Sequence, residues 1–119
     1  MNCIAVDDEP LALDIIEAYV TKHPELTLVA RCNNAAEASE VLKKHKVDLM
    51  FLDIQMPEIT GLSFVKSLEH KPLFMFTTAY PDYALEGFEL DAIDYLLKPI
   101  AYDRFEKGVE KALEYYKIK

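Results

Sequence analysis

Val47-Asp48-Leu49-Met50-Phe51-Leu52-Asp53 is the stretch on which the fold turns. From Val47 to Leu52 it is dense in large apolar residues and ends abruptly in a carboxylate. A strand with one face in water alternates apolar and polar residues, whereas a strand covered on both faces reads as a nearly continuous apolar run. The stretch therefore predicts the interior strand of a parallel sheet, with helices packed above and below it. Working outward, Cys3 to Val6, Leu26 to Cys32, Leu73 to Phe76 and Tyr95 to Leu97 are further short strand candidates. Between them lie helical patterns. Leu11, Ile15, Ala18 and Tyr19 recur at helical spacing behind Pro10, a proline tolerated in a first turn. Asn34 can cap a second helix with Ala35, Ala38, Val41 and Leu42 inward. Gly61 to Leu68 and Tyr83 to Phe88 follow as third and fourth helices. Phe105, Val109, Ala112, Leu113 and Tyr116 form the apolar stripe of a last helix. The order is strand then helix, five times. Right-handed crossovers then give a doubly wound α/β fold: a five-stranded parallel sheet with helices on both faces.

Composition narrows the function. A chain of 119 residues makes one domain. Apolar residues at 51% and charged residues at 29% are ordinary for a globular domain. A net charge of −8 argues against gripping nucleic acid with this domain or adhering to an anionic membrane. It suits a cation or a basic partner surface. No apolar stretch is long enough to span a bilayer, and Met1 to Asp8 has neither the basic region nor the long apolar region of a signal peptide. Cys3 and Cys32 are too few for a disulfide framework or a zinc site, so they are expected as reduced thiols in a cytoplasm. Gly61, Gly87 and Gly108 build no phosphate-cradling loop of the dinucleotide or P-loop kind.

The strand ends carry the chemistry. The first runs into Asp7-Asp8, the third into Asp53, the fourth into Thr77-Thr78 and the fifth into Lys98-Pro99. In an open parallel sheet all carboxyl ends share one edge, and ligands bind there. These groups must converge in one cleft. Three carboxylates against one lysine leave an excess of about two negative charges, which calls for a compensating cation. Oxygen donors without histidine or cysteine select a hard ion such as Mg²⁺ or Mn²⁺. A carboxylate, a metal, a lysine and a hydroxyl together describe phosphoryl transfer, with a spare carboxylate able to form an aspartyl phosphate.

In these residues the sequence resembles the receiver domain of two-component response regulators, over essentially its whole length. Asp53-Ile54-Gln55-Met56-Pro57 followed by Gly61 is close to the DxxMPxxxG pattern of that family. Thr78-Ala79-Tyr80, Tyr83-Ala84 and Asp94-Tyr95-Leu96-Leu97-Lys98-Pro99 are most similar to receivers of LytTR (LytR/AlgR-like) regulators. The resemblance implies a CheY-like, flavodoxin-like sheet of order 2-1-3-4-5. It implies Asp53 as phosphoacceptor from a phosphohistidine on a sensor histidine kinase. It implies Asp7, Asp8, Asp53 and the backbone carbonyl of Gln55 around Mg²⁺ (or Mn²⁺), Lys98 and Thr78 on the phosphoryl oxygens, Tyr95 following Thr78 by changing rotamer, and a cis bond before Pro99 that aims Lys98. Of the two neighbouring hydroxyls Thr78 is preferred to Thr77 because Ala79 follows it.

The implied behaviour is a switch. A phosphoryl group adds charge and acceptor oxygens, and the response of Thr78 and Tyr95 reshapes the face made by the fourth helix, fifth strand and last helix. That face would serve a homodimer or a docked partner, with transcription as the output. No effector domain lies within residues 1–119, so DNA binding would reside in a further domain, and the chain reads as an excised receiver rather than a stand-alone one. The implied activity is self-phosphorylation and autodephosphorylation, with no external substrate. Two alternatives remain: a degenerate receiver acting as a binding module, and a phosphohydrolase with an aspartyl intermediate. Against the second, Asp53 is followed by Ile54-Gln55-Met56 and not by the DxDx[TV] loop of haloacid-dehalogenase-like enzymes. Tyr80 and Gln55 are expected at the cleft rim, where they would set the lifetime of the phosphoryl group. Asp48, Asp82, Asp91, Asp94 and Asp103 are expected as caps and turn residues, and scattered His23, His45 and His70 as bystanders. Six of the seven tyrosines follow residue 79, a distribution that fits either a partner face or core cover.

Overall fold

The computed structural model describes residues 1–81 and 90–118. The helix expected over Tyr83 to Phe88, and Asp82, lie outside the described residues. The chain runs β1 (Asn2–Val6), α1 (Pro10–Lys22), β2 (Thr27–Cys32), α2 (Ala35–Lys44), β3 (Leu49–Asp53), α3 (Gly61–Ser67), β4 (Leu73–Thr78), β5 (Asp94–Leu97) and α4 (Tyr102–Ile118). The strands form one parallel sheet in the order β2-β1-β3-β4-β5. This is the flavodoxin-like α/β fold, with β3 at its centre.

The apolar run of β3 has a direct physical reading. Successive side chains of a strand point to opposite faces. Leu49 and Phe51 enter the layer shared with α1 and α4, beside Leu13, Ile16, Met75, Phe105 and Val109. Met50 and Leu52 enter the layer shared with α2 and α3, beside Ala38, Phe64, Val65 and Phe76. All five residues of β3 are buried. Phe51 stacks on Phe105 with ring centroids 5.2 Å apart, tying the central strand to the last helix. Truncating such a side chain to alanine costs about 3–5 kcal/mol, since lost transfer energy and a cavity add.

Local signals set the helix ends. Asn34 caps α2, its Oδ1 accepting from the Glu37 N–H at 2.9 Å. Thr60 caps α3 through the Ser63 N–H at 3.1 Å. Pro10 occupies the first turn of α1.

Two helix faces differ from expectation. In α1 the buried residues are Leu13, Ile16 and Val20, while Leu11, Ile15 and Ala18 are exposed and Tyr19 is half-buried. The helix carries two apolar stripes, and periodicity alone cannot say which one meets the sheet. In α4, Phe105, Val109, Ala112 and Leu113 are buried as expected, but Tyr116 is exposed. β4 also runs two residues further than its apolar run, because Thr77 and Thr78 pair in register with Leu96 and Leu97 of β5.

Candidate functional site

The carboxyl edge of the sheet gathers the polar strand ends. Asp7 follows β1 directly and is held there as its N–H donates to the Cys32 carbonyl of β2 at 3.0 Å. Asp53 is the last residue of β3 and pairs in register with Thr77. Both are buried, at 4% and 3% exposure, while Asp8 is exposed. One carboxylate oxygen of each of these three residues lies within 4.8 Å of the others. Lys98 follows β5, its N–H donating to the Thr78 carbonyl at 2.7 Å, and its bond to Pro99 is cis. Its ammonium stands 2.8 Å from Asp7 Oδ2, 3.1 Å from Glu9 Oε1 and 3.5 Å from Asp53 Oδ1. A cleft of about 420 Å³ is lined by Asp8, Glu9, Asp53, Gln55, Thr78, Ala79, Tyr80 and Lys98.

Thr78 lines this cleft, whereas Thr77 lines an apolar groove on the α1 side of the sheet. The alternation of a strand separates the two hydroxyls. Thr78 Oγ1 accepts from the Tyr80 N–H at 3.1 Å. The Tyr95 hydroxyl donates to the Tyr80 carbonyl. The main chain of Tyr80 is therefore held from both sides, once by Thr78 and once by Tyr95. Gln55 sits at the rim, exposed, and its N–H donates to Asp53 Oδ1 at 3.3 Å.

The electrostatics follow from burial. Loss of water pushes Asp53 up to about 7, and the charge of Asp7 adds to that; Lys98 and the Gln55 N–H oppose it. For Lys98 burial acts downward, but the Asp7, Asp53 and Glu9 contacts win and hold the ammonium above its ordinary value. Three clustered carboxylates against one ammonium remain undercompensated, and all the donors are oxygens. The set fits a hard divalent cation.

Sequence reasoning missed two features. Glu9 joins Lys98, which no spacing announces. Asp94 is no turn residue: it is 1% exposed and clamped by Arg104 through two bonds of 2.6 and 2.7 Å, with Lys111 at 3.4 Å. Gly61 has a steric reason, since a Cβ there would lie 2.3 Å from the Asp53 carbonyl oxygen. The chain turns back on itself at this point, and the Gly61 N–H donates to the Ile54 carbonyl at 2.8 Å. The cysteines play no part in the cleft: both are buried, and burial pushes their thiols up to about 12 for Cys3 and about 11 for Cys32. His23 and His45 end α1 and α2. Among the described residues no helix is long and apolar enough to cross a membrane.

Comparison with known proteins agrees with this geometry. The model of the response regulator receiver domain matches residues 3–110. The chain is 44% identical over 113 residues to the transcriptional regulatory protein BtsR of Escherichia coli, covering 93% of this chain and 47% of that protein. It thus spans about half the length of the curated relatives it matches, which include LytTR-type regulators. The response regulatory domain of protein mrkE from Klebsiella pneumoniae superposes with a TM-score of 0.90 at 31% identity, over 100% of both chains. The response regulator TrrA of Thermotoga maritima, solved in complex with Mg²⁺-BeF, superposes with a TM-score of 0.79 at 25% identity, over 93% of this chain and 97% of that one. A parallel sheet whose carboxyl edge gathers Asp7, Asp8, Asp53, Thr78 and Lys98 thus comes with a matching family, and the chain belongs to the response regulator receiver domains.

Proposed function

We propose that this domain is a phosphorylation-dependent switch in which Asp53 accepts a phosphoryl group from a phosphohistidine of a sensor histidine kinase. An Asp53 carboxylate oxygen attacks phosphorus, an O–P bond forms and the P–N bond breaks. The electron pair leaves with the imidazole nitrogen. The observation that carries this reading is the ammonium of Lys98, 3.5 Å from Asp53 Oδ1, in a cleft that Thr78 also lines. Lys98 would meet the charge that develops on the phosphoryl oxygens. Asp7, Asp8, Asp53 and the Gln55 carbonyl would hold Mg²⁺ (or Mn²⁺), and the Mg²⁺-BeF complex of TrrA supports that choice. A bound Mg²⁺ neutralises negative charge between carboxylates and phosphoryl oxygens.

The switch follows from the bonds on Tyr80. When the Thr78 hydroxyl turns to a phosphoryl oxygen, the Tyr80 N–H loses its acceptor. The Tyr95 hydroxyl is anchored on the same residue, so its rotamer equilibrium shifts with it. The face carrying β5 and α4 is thereby altered, and we assign it to a homodimer or a partner. The output is transcription, through a part of the protein beyond this domain, in the cytoplasm. The domain itself works on no external substrate.

Incubation with acetyl phosphate, with and without Mg²⁺, followed by intact mass, tests the reading. A Mg²⁺-dependent single phosphoryl adduct, lost in Asp53→Ala, is expected. No adduct on folded protein would leave a binding module, and rapid multiple turnover of a general phosphoester would leave a hydrolase.

A further inference from the structure

Lys98 has one anionic partner more than the proposed reaction needs. Two of its partners, Asp7 and Asp53, are the buried carboxylates at the strand ends. The third, Glu9, has a side chain that is 67% exposed, yet it reaches the ammonium at 3.1 Å. Its main chain is fixed at both ends. The Glu9 N–H donates to Asp7 Oδ1 at 2.9 Å, and its carbonyl accepts from the N–H groups of Ala12 and Leu13. Glu9 stands at the N-terminal cap of α1, but its side chain makes no cap bond. It spans to Lys98 instead. The pair lines two cavities at once, the acidic cleft of about 420 Å³ and a groove of about 330 Å³ floored by Ile16 and Ile100.

We propose that Glu9 is a positioning residue: it holds Lys98 as a resting counter-ion that an incoming phosphoryl group must displace. This rests on the reading of Asp53 as the phosphoacceptor. A phosphoryl oxygen beside Asp53 draws the ammonium inward. The buried Asp7 contact can persist through that movement. The Glu9 contact is the one that yields, because water resolvates an exposed carboxylate at little cost. An exposed ion pair of this kind is worth about a twofold to fivefold change in an equilibrium, and less in high salt.

Two substitutions separate pairing from plain charge. Glu9→Gln removes the charge. Glu9→Asp keeps it but is shorter by one carbon–carbon bond, about 1.5 Å, so from this fixed backbone it falls short of Lys98. The readouts are the affinity for beryllofluoride at saturating Mg²⁺ and the initial rate with acetyl phosphate, each at low and high salt. Both variants are expected to gain about twofold to fivefold over the wild type at low salt, with the gap closing as salt rises. A gain in Glu9→Gln alone would show simple repulsion at the cleft mouth and overturn the proposal, as would no gain in either. A wild type that forms no adduct on Asp53 would instead defeat the assignment of the phosphoacceptor.

Discussion

Replacing Asp53 with asparagine should stabilise the metal-free protein at neutral pH. Asp53 is 3% exposed, and burial together with Asp7 pushes it from an ordinary 3.8 up to about 7. The direction is opposite to that of a salt-bridged carboxylate. Between these two values the folded state binds the proton and the unfolded state does not, so stability falls as pH rises through that window. At about 1.4 kcal/mol for each unit, the full penalty above pH 7 has a ceiling of about 4 kcal/mol. Lys98 and water at the cleft mouth reduce it, and about 2–4 kcal/mol is expected. Asparagine keeps the shape and removes the charge. At about 3–5 °C for each kcal/mol, Asp53→Asn should melt about 6–20 °C above the wild type near pH 8 in a chelator. The gap should narrow steadily as pH falls to about 4. Added Mg²⁺ should raise the melting temperature of the wild type more than that of the variant, since binding to the folded state alone stabilises it. Circular-dichroism melts across pH measure all of this. A variant no more stable than the wild type near pH 8 would refute the claim that a buried, uncompensated charge strains the site.

Other perturbations probe the surroundings of the site. Gly61→Ala places a Cβ against the Asp53 carbonyl, backbone that cannot swing away, and should cost about 1–3 kcal/mol by urea denaturation while weakening Mg²⁺ binding. Arg104→Met leaves the buried Asp94 with the Tyr95 N–H and the Lys111 ammonium and should cost about 2–3 kcal/mol at neutral pH. Burial raises Asp94, but the bonds from Arg104 and the Tyr95 N–H outweigh it and hold the carboxyl below its ordinary value. That contribution is complete above the unfolded value and is lost as pH falls through the folded one, so the deficit of the variant should shrink in acid. Tyr80→Ala and Gln55→Ala should each change the lifetime of phosphorylated Asp53 several-fold, since both line the cleft that water must enter; unchanged lifetimes in a phosphate-release assay would remove them from that role.

Much of the molecule is written in its local patterns. Periodicity marks a strand or a helix, and the short apolar run before Asp53, set between helical patterns, reads as a strand covered on both faces. Once strands alternate with helices, topology does the remaining work: all carboxyl ends fall on one edge. Asp7, Asp8, Asp53, the Thr77-Thr78 pair and Lys98 therefore converge from topology alone, and the resemblance to receiver domains singles out Thr78 of the pair. Asn34 was equally legible, because a cap is a contact within four residues.

Other features depend on surfaces that meet only after folding. α1 has two apolar stripes, and the packing of Leu13, Ile16 and Val20 against the sheet selects one of them. Asp94 looks like a turn residue until α4 lays Arg104 across it. Glu9 and Lys98 are 89 residues apart, and nothing local to either announces their ion pair. The sequence by itself determined the sheet, its order of elements and the polar edge, because those arise from period, strand ends and chirality. Only the tertiary structure decided how charge is shared along that edge. That sharing depends on which buried carboxylates lose water, and on which partner stands within about 3 Å of each, a distance no linear spacing encodes.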